Sequence, residues 1–272
     1  MRKNAIWQHI SCVVFILFPN YLCAQADFIP DQVAGANCFL FSQHASSSAF
    51  GNPSMPDTSA AFSLGTYSAS SFLVKELNEY GIAFTTRILK NSYLGGGYRY
   101  KGYSLYNTSK ATLSFSRFFG KAFSAGIRVE HFSIRQGEGY GQQQFWNVRA
   151  GTTVRLSPQL YASTYLGVPL KNNDSKKKTP FHFGVMYQFS EVFACIVESQ
   201  MSGSTPTLRT SLRYQPSRRI EFIGGIGGKP LSTSFGFVLE CGSMKIAIST
   251  GYRPVFGFSP AVGIDFATPS SK

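Results

Sequence analysis

The chain has 272 residues and a formal net charge of +13, yet only 14% of its residues are charged and 15% are aromatic. Its five cysteines lie at scattered spacings, which predicts neither a disulfide framework nor a metal site, and we expect no cofactor. Beyond the N-terminus no run reaches about 18 consecutive apolar residues, which excludes a helical membrane span but leaves membrane-crossing strands open.

Residues 1–24 have the features of an export signal. Arg2 and Lys3 supply the charged start, and the apolar run 10–18 is shorter than the roughly 20 residues of a spanning helix. Ala24 predicts cleavage before Gln25, with lipidation at the preceding cysteine or an uncleaved anchor as weaker alternatives. Export argues against a nucleic-acid partner, although removal of two of the 26 basic residues and none of the 13 acidic ones leaves a charge of +11.

The remaining chain divides into a short N-terminal segment and a long patterned region. Residues 25–59 are rich in Ser, Ala, Asn and Pro and show little periodicity. From residue 60 to 266 apolar and polar residues alternate, and residues 267–272 form a tail. We therefore predict a separate N-terminal segment, one β domain over 60–266 and a periplasmic tail.

The alternation is clear over residues 146–156. Its even positions are apolar apart from Thr152, and its odd positions are small or polar and include Arg149 and Arg155. Successive side chains of a strand point to opposite faces, so this stretch has one apolar and one polar face. Fourteen segments share the pattern: 60–68, 80–88, 92–101, 110–118, 122–134, 145–156, 159–168, 180–189, 192–199, 206–215, 219–227, 231–241, 244–252 and 257–266.

Short and long connections alternate between these segments. Turns such as 89–91 and 242–243 take two or three residues, whereas links such as 102–109, 135–144 and 169–179 are longer. Outer-membrane barrels have short periplasmic turns, longer external loops and an even strand number. The sequence thus predicts an all-β protein, a single transmembrane antiparallel β-barrel of about 14 strands in the outer membrane.

In this architecture the apolar faces contact lipid and the polar faces line the lumen. Aromatic residues near both strand ends favour contact with outer-membrane lipids. The basic run 174–178 lies in a predicted outer loop, where it is either an ordinary solvated loop, the more common case, or a contact for lipopolysaccharide as a partner. We expect lumen arginines and glutamates to pair with one another and with water. The predicted lumen-lining residues are Arg87, Arg99, Arg128, Glu130, Arg149, Arg155, Glu198, Arg209, Arg213, Glu221 and Glu240.

The sequence contains only a remote candidate for a catalytic site, and we expect no enzyme activity. His131 and Ser133 lie on one face near the outer rim, where a histidine can activate a serine. The pair resembles the His-x-Ser part of the lipid A deacylase barrels, a resemblance that implies a rim lipid hydrolase. Ile134 follows the serine here, where that family has asparagine.

The sequence ANCFLFSQHASSSAFGNPS at 36–54 resembles the opening of FadL-like barrels and of the related PorV and PorQ barrels of type IX secretion. Asn52, Pro53 and Ser54 stand where that group has Asn-Pro-Ala, and later stretches resemble small members from Bacteroidetes-type bacteria. The resemblance implies an N-terminal plug inside a fourteen-stranded barrel. It also implies a channel or transporter for small or hydrophobic molecules, or a non-transporting accessory barrel with a secretion or envelope partner.

Overall fold

A computed structural model describes residues 49–58, 60–137, 141–170, 180–201, 206–228 and 230–268. In these ranges the chain forms a closed barrel of fourteen antiparallel strands, in which each strand pairs with its sequence neighbours and β14 closes the sheet against β1. The predicted all-β barrel with fourteen strands is confirmed. Among the described residues no helix is long and apolar enough to cross a membrane.

The strand bounds agree closely with the predicted segments. They are β1 (Phe62–Ser70), β2 (Asn78–Leu89), β3 (Ser92–Gly102), β4 (Tyr106–Phe119), β5 (Phe123–Gln136), β6 (Gly141–Arg155), β7 (Leu160–Pro169), β8 (Phe181–Gln188), β9 (Phe193–Met201), β10 (Pro206–Ser217), β11 (Ile220–Gly227), β12 (Ser232–Cys241), β13 (Met244–Arg253) and β14 (Gly257–Thr268).

Burial in the barrel is the reverse of that in a soluble domain. In β4, Leu113 is 55% exposed on the outer face, whereas Thr112, Ser114 and Ser116 are buried on the inner face. Most large apolar side chains outside the lumen have no protein partner to cover them, while hydroxyl groups inside are enclosed by the wall. Such a surface is stable only where an apolar solvent contacts its outer face.

Connection lengths differ between the two ends of the barrel. The two-residue turn between β12 and β13 uses Gly242 with a φ of 64°, a conformation that glycine adopts without strain. At the other end, residues 71–77 between β1 and β2 form two short 3-10 turns. Phe72 of this link packs against Phe256 at 5.0 Å between ring centroids, so the link closes over the adjoining end of β14.

Strands β4, β5 and β6 are longer than the sequence pattern indicates. Most of the expected links 102–109 and 135–144 is strand, and β5 and β6 pair in register up to Gln136 and Gly141. The ladder with β7 begins only at Asn147, so β5 and β6 rise above their neighbour. The residues before Trp146 are mainly glutamines without an apolar face, which is why alternation does not reveal this strand.

Replacement of Ile248 by arginine tests the lipid-facing assignment. Ile248 lies in the middle of β13 and is 55% exposed on the outer face. Ile248→Arg places a charge in the hydrocarbon and should destabilise the folded barrel by about 2–4 kcal/mol. Urea unfolding in lipid vesicles measures this cost, with Ile248→Ala as the control. Equal unfolding free energies for the two variants would contradict a lipid-facing position.

Candidate functional site

The described part of the N-terminal segment, residues 49–58, lies against the inner face of β4 to β7. Asn52 and Ser54 are fully buried there. Asn52 donates from Nδ2 to Ser163 Oγ at 2.6 Å, and Ser54 Oγ shares a hydrogen bond with Thr153 Oγ1 at 2.7 Å. Residues 25–48 and 59 of the predicted plug lie outside the described residues.

The four side chains form a closed ring of hydrogen bonds. Thr153 and Ser163 face each other across β6 and β7, and their hydroxyls are 2.8 Å apart. Ser54 Oγ completes the ring by donating to Asn52 Oδ1 at 2.9 Å. Because the members of the ring satisfy one another, these polar groups can be buried without the cost of an unpaired donor or acceptor.

Hydrogen bonds within the Asn-Pro-Ser sequence and to the residue after it stabilise a turn. Asn52 Oδ1 accepts a hydrogen bond from the Ser54 backbone N–H at 3.0 Å, which is the pattern of an Asx turn. The Met55 backbone N–H donates to the Asn52 carbonyl at 3.1 Å. Pro53 between them fixes its own φ and so reduces the freedom that this turn loses on docking.

Two glycines of the wall make room for this turn. A Cβ on Gly126 of β5 would collide with the Pro53 carbonyl, and one on Gly151 of β6 would collide with Asn52 Oδ1. The Pro53 carbonyl also accepts a hydrogen bond from Ser116 Oγ at 2.6 Å. Glycine is therefore required at both wall positions by the close approach of the segment.

Beside the turn, one carboxylate holds three cations. Glu130 lies 2.8 Å from Lys110 Nζ and 2.9 Å from the Nε atoms of both Arg128 and Arg149. Asn147 Nδ2 donates to Glu130 Oε2 at 3.1 Å. All five side chains are buried, so the charges interact with little screening by solvent.

The charged cluster also contacts aromatic rings and the N-terminal segment. Lys110 Nζ lies 5.0 Å from the centroid of the Phe132 ring, and Arg149 lies over Tyr165 at 5.7 Å. Arg128 donates from Nη1 to the Ala49 carbonyl at 3.1 Å. The charged cluster thus binds the main chain of the segment as well as its own wall.

A second buried acid lies on β2. Glu79 accepts a hydrogen bond from the Tyr67 hydroxyl at 2.6 Å and lies 3.5 Å from Arg99 Nη1. Arg99 also lies over the ring of Phe50 at 5.5 Å. This set therefore fixes a second point of contact between the wall and the N-terminal segment.

The structure brings together only some of the predicted lumen residues. Arg128, Glu130 and Arg149 form the cluster, and Arg209 is in register with Glu198 across β9 and β10. Arg155 is exposed at the short turn, where it donates to the carbonyls of residues 157 and 158. Arg99 pairs with Glu79 instead of with a predicted residue. The other predicted residues are Arg87, which is exposed at the end of β2, the buried Glu221, and the half-buried Arg213 and Glu240.

Sequence reasoning missed Lys110, Glu79 and Tyr67. Lys110 begins a predicted segment on the same parity as Thr112, so alternation alone could have assigned it to the lumen. Glu79 lies one residue before the predicted segment 80–88, and its inward position follows once β2 begins at Asn78.

His131 and Ser133 have separate partners. The His131 ring lies 4.6 Å from the centroid of the Trp146 ring, and Ser133 Oγ accepts a hydrogen bond from Gln142 Nε2 at 2.7 Å. Within the described residues no hydrogen bond joins the histidine to the serine. This geometry does not place a base on the serine hydroxyl.

Comparison with protein-family models finds no match, and comparison with curated proteins finds none. Among solved structures, the Pseudomonas putida toluene transporter TodX has a TM-score of 0.60 at 11% identity, covering 85% of this chain and 94% of TodX. The Acinetobacter baumannii outer membrane protein Omp33 has a TM-score of 0.54 at 9% identity, covering 77% of this chain and 98% of Omp33. At this identity the similarity establishes the fold, a closed barrel of the outer-membrane type.

Gly151→Ala should release the N-terminal turn while the barrel stays folded, because the new methyl group occupies the place of Asn52 Oδ1. Hydrogen–deuterium exchange in a peptide covering residues 49–58 measures the release, and exchange should accelerate. Gly263→Ala is the control, since its Cβ meets the nearest lumen atoms at 3.6 Å, an ordinary contact. Unchanged exchange in Gly151→Ala would contradict the seating of the turn on this glycine.

Glu130→Gln should destabilise the barrel strongly, because it leaves three buried cations without their carboxylate. Removal of one partner of a buried ion pair costs about 3–5 kcal/mol. The free energy of unfolding in urea measures the loss. Glu240→Gln, a half-buried carboxylate on β12, is the matched control and should have a smaller effect. Similar losses in both variants would show that the cluster is not a special point of stability.

Proposed function

We propose that this chain is an outer-membrane channel whose lumen holds its own N-terminal segment as a plug. The observation that carries the proposal is the buried ring of Asn52, Ser54, Thr153 and Ser163, which fastens the segment to the inner wall. A polar wall that binds a separate piece of chain through hydrogen bonds can release it, since water replaces each bond at modest net cost.

The dimensions of the barrel support this role. About eight strands enclose only side chains, whereas about sixteen or more enclose an open aqueous pore. Fourteen strands give an intermediate lumen that a short segment can obstruct. The similarity to the toluene transporter TodX favours passive passage of small or hydrophobic molecules. A TodX mutant described as a monoaromatic hydrocarbon channel has a TM-score of 0.60 at 10% identity over 87% of this chain and 98% of the other.

The proposal also covers export and membrane contacts, which rest on the sequence pattern. A signal peptide at residues 1–24 directs export, the barrel inserts in the outer membrane with both termini in the periplasm, and its loops contact lipopolysaccharide. The chain resembles the FadL-like group and the related PorV and PorQ barrels over residues 36–54, and later stretches resemble small members from Bacteroidetes-type bacteria. The apolar outer face and the alternation along the strands, apart from the glutamine-rich start of β6, support membrane insertion.

A second candidate is a non-transporting barrel in a secretion or envelope assembly. The full burial of Arg128 and Glu130 beneath the N-terminal segment favours it, because a wall that binds its plug this extensively can remain closed. Affinity purification from the native outer membrane separates the two roles. A stoichiometric envelope partner favours the accessory role, and isolation of the chain alone with uptake activity favours the channel.

Asn52→Ala combined with Ser54→Ala should increase conductance in planar bilayers, because the double variant removes two members of the hydrogen-bonded ring. Deletion of residues 25–58 should increase conductance further, since it removes the plug. Asn107→Ala is the control, an asparagine that donates only to a carbonyl at the strand end and should leave conductance unchanged. Absence of conductance in the deletion variant as well as in the full mature chain would rule out a channel.

A further inference from the structure

The Glu130 cluster carries more positive than negative charge. Lys110, Arg128 and Arg149 all form their ion pairs with Glu130, and none has another carboxylate partner among the described residues. The cluster is enclosed, since Arg128 and Glu130 are 0% exposed and Lys110 is 3% exposed. Counted over the described residues, the cluster therefore has an excess of two positive charges.

Aromatic rings compensate only part of this excess. Phe50 and Phe132 flank Lys110, and Tyr165 lies beneath Arg149. A desolvated cation–π contact contributes less than the desolvation of a buried ion costs, even after relaxation. The difference favours a further negative charge at this place.

The N–H groups of the cluster are also incompletely used. The Nε atoms of Arg128 and Arg149 are 2.9 Å from the carboxylate but are not aligned for hydrogen bonds with it. Arg128 Nη2 is buried and has no hydrogen-bond partner among the described residues, although Nη1 binds the Ala49 carbonyl. A buried guanidinium donor of this kind is suited to an oxyanion, which accepts charge-assisted hydrogen bonds from the planar fork.

We propose that Lys110, Arg128 and Arg149 form a binding site for a small inorganic oxyanion of the sulfate or phosphate type. A dianion matches the residual charge of the cluster, and its oxygens accept hydrogen bonds from the guanidinium N–H groups that have no partner among the described residues. The site lies beside the Ala49 carbonyl, so the bound anion stabilises the wall at the point where the N-terminal segment docks. This binding goes beyond the proposed channel and does not depend on conductance.

Isothermal titration calorimetry of the refolded mature chain with millimolar sodium sulfate tests the site, in a buffer of fixed ionic strength without phosphate. We expect saturable binding to the unaltered chain. Arg149→Gln should weaken it about tenfold, equivalent to ~1.4 kcal/mol. This variant should still fold because Glu130 keeps two cations, and heat-modifiable gel migration verifies that. Lys110→Gln is the second variant with the same expectation.

Arg155→Gln is the matched control. Arg155 lies on the same strand and lumen face as Arg149 but binds carbonyls at the short turn, so its loss changes the net charge equally without touching the cluster. Sulfate affinity should be unchanged in this variant. Absence of saturable sulfate binding to the unaltered chain would overturn the proposal, and so would an equal loss of affinity in Arg155→Gln and Arg149→Gln.

Discussion

The inner wall of this barrel depends on the ion pairs that the carboxylate of Glu130 forms with three buried cations. It lies on β5 and contacts Lys110 from β4 and Arg149 from β6, so three adjacent strands meet at one acid. Arg128, on the same strand, extends the contact to the Ala49 carbonyl of the N-terminal segment. Strand pairing would hold the sheet without this acid, but the charges that face the segment would then repel one another in a poorly solvated place.

The small residues of the wall make that arrangement possible. Long cationic side chains extend into the lumen at some wall positions. At Gly126 and Gly151, where the N-terminal segment contacts the wall, a side chain is absent. Hydroxyl residues such as Ser163 are intermediate in size between these cations and glycine. They provide a hydrogen-bonding group with little bulk. The lumen therefore combines close packing with satisfied polar groups, whereas a soluble domain packs its interior with apolar side chains.

Alternation predicted the strand number, the parity of Arg149 and the inward position of Glu130, because a two-residue period directly reports the two faces of a strand. It could not predict that Lys110 and Arg149 meet at Glu130, since register across three strands decides which inward residues of neighbouring strands meet. The Asn-Pro-Ser resemblance indicated an N-terminal plug. The glycines that contact the Asn-Pro-Ser turn lie about 75 to 100 residues away, and no local pattern connects them.

The N-terminal segment is held mainly through its backbone and one turn. The Ala49 carbonyl accepts hydrogen bonds from Arg128 and Thr112, and the Pro53 carbonyl accepts one from Ser116. Because carbonyl groups are common to all residues, most side chains of the segment can vary without loss of these bonds. Two places in the described part of the segment require particular residue types. At the turn an asparagine and a serine close the ring with the wall and proline fixes the chain between them, and at Phe50 an aromatic ring contacts Arg99 and Lys110. A short polar motif and one aromatic ring can therefore hold this segment inside the barrel.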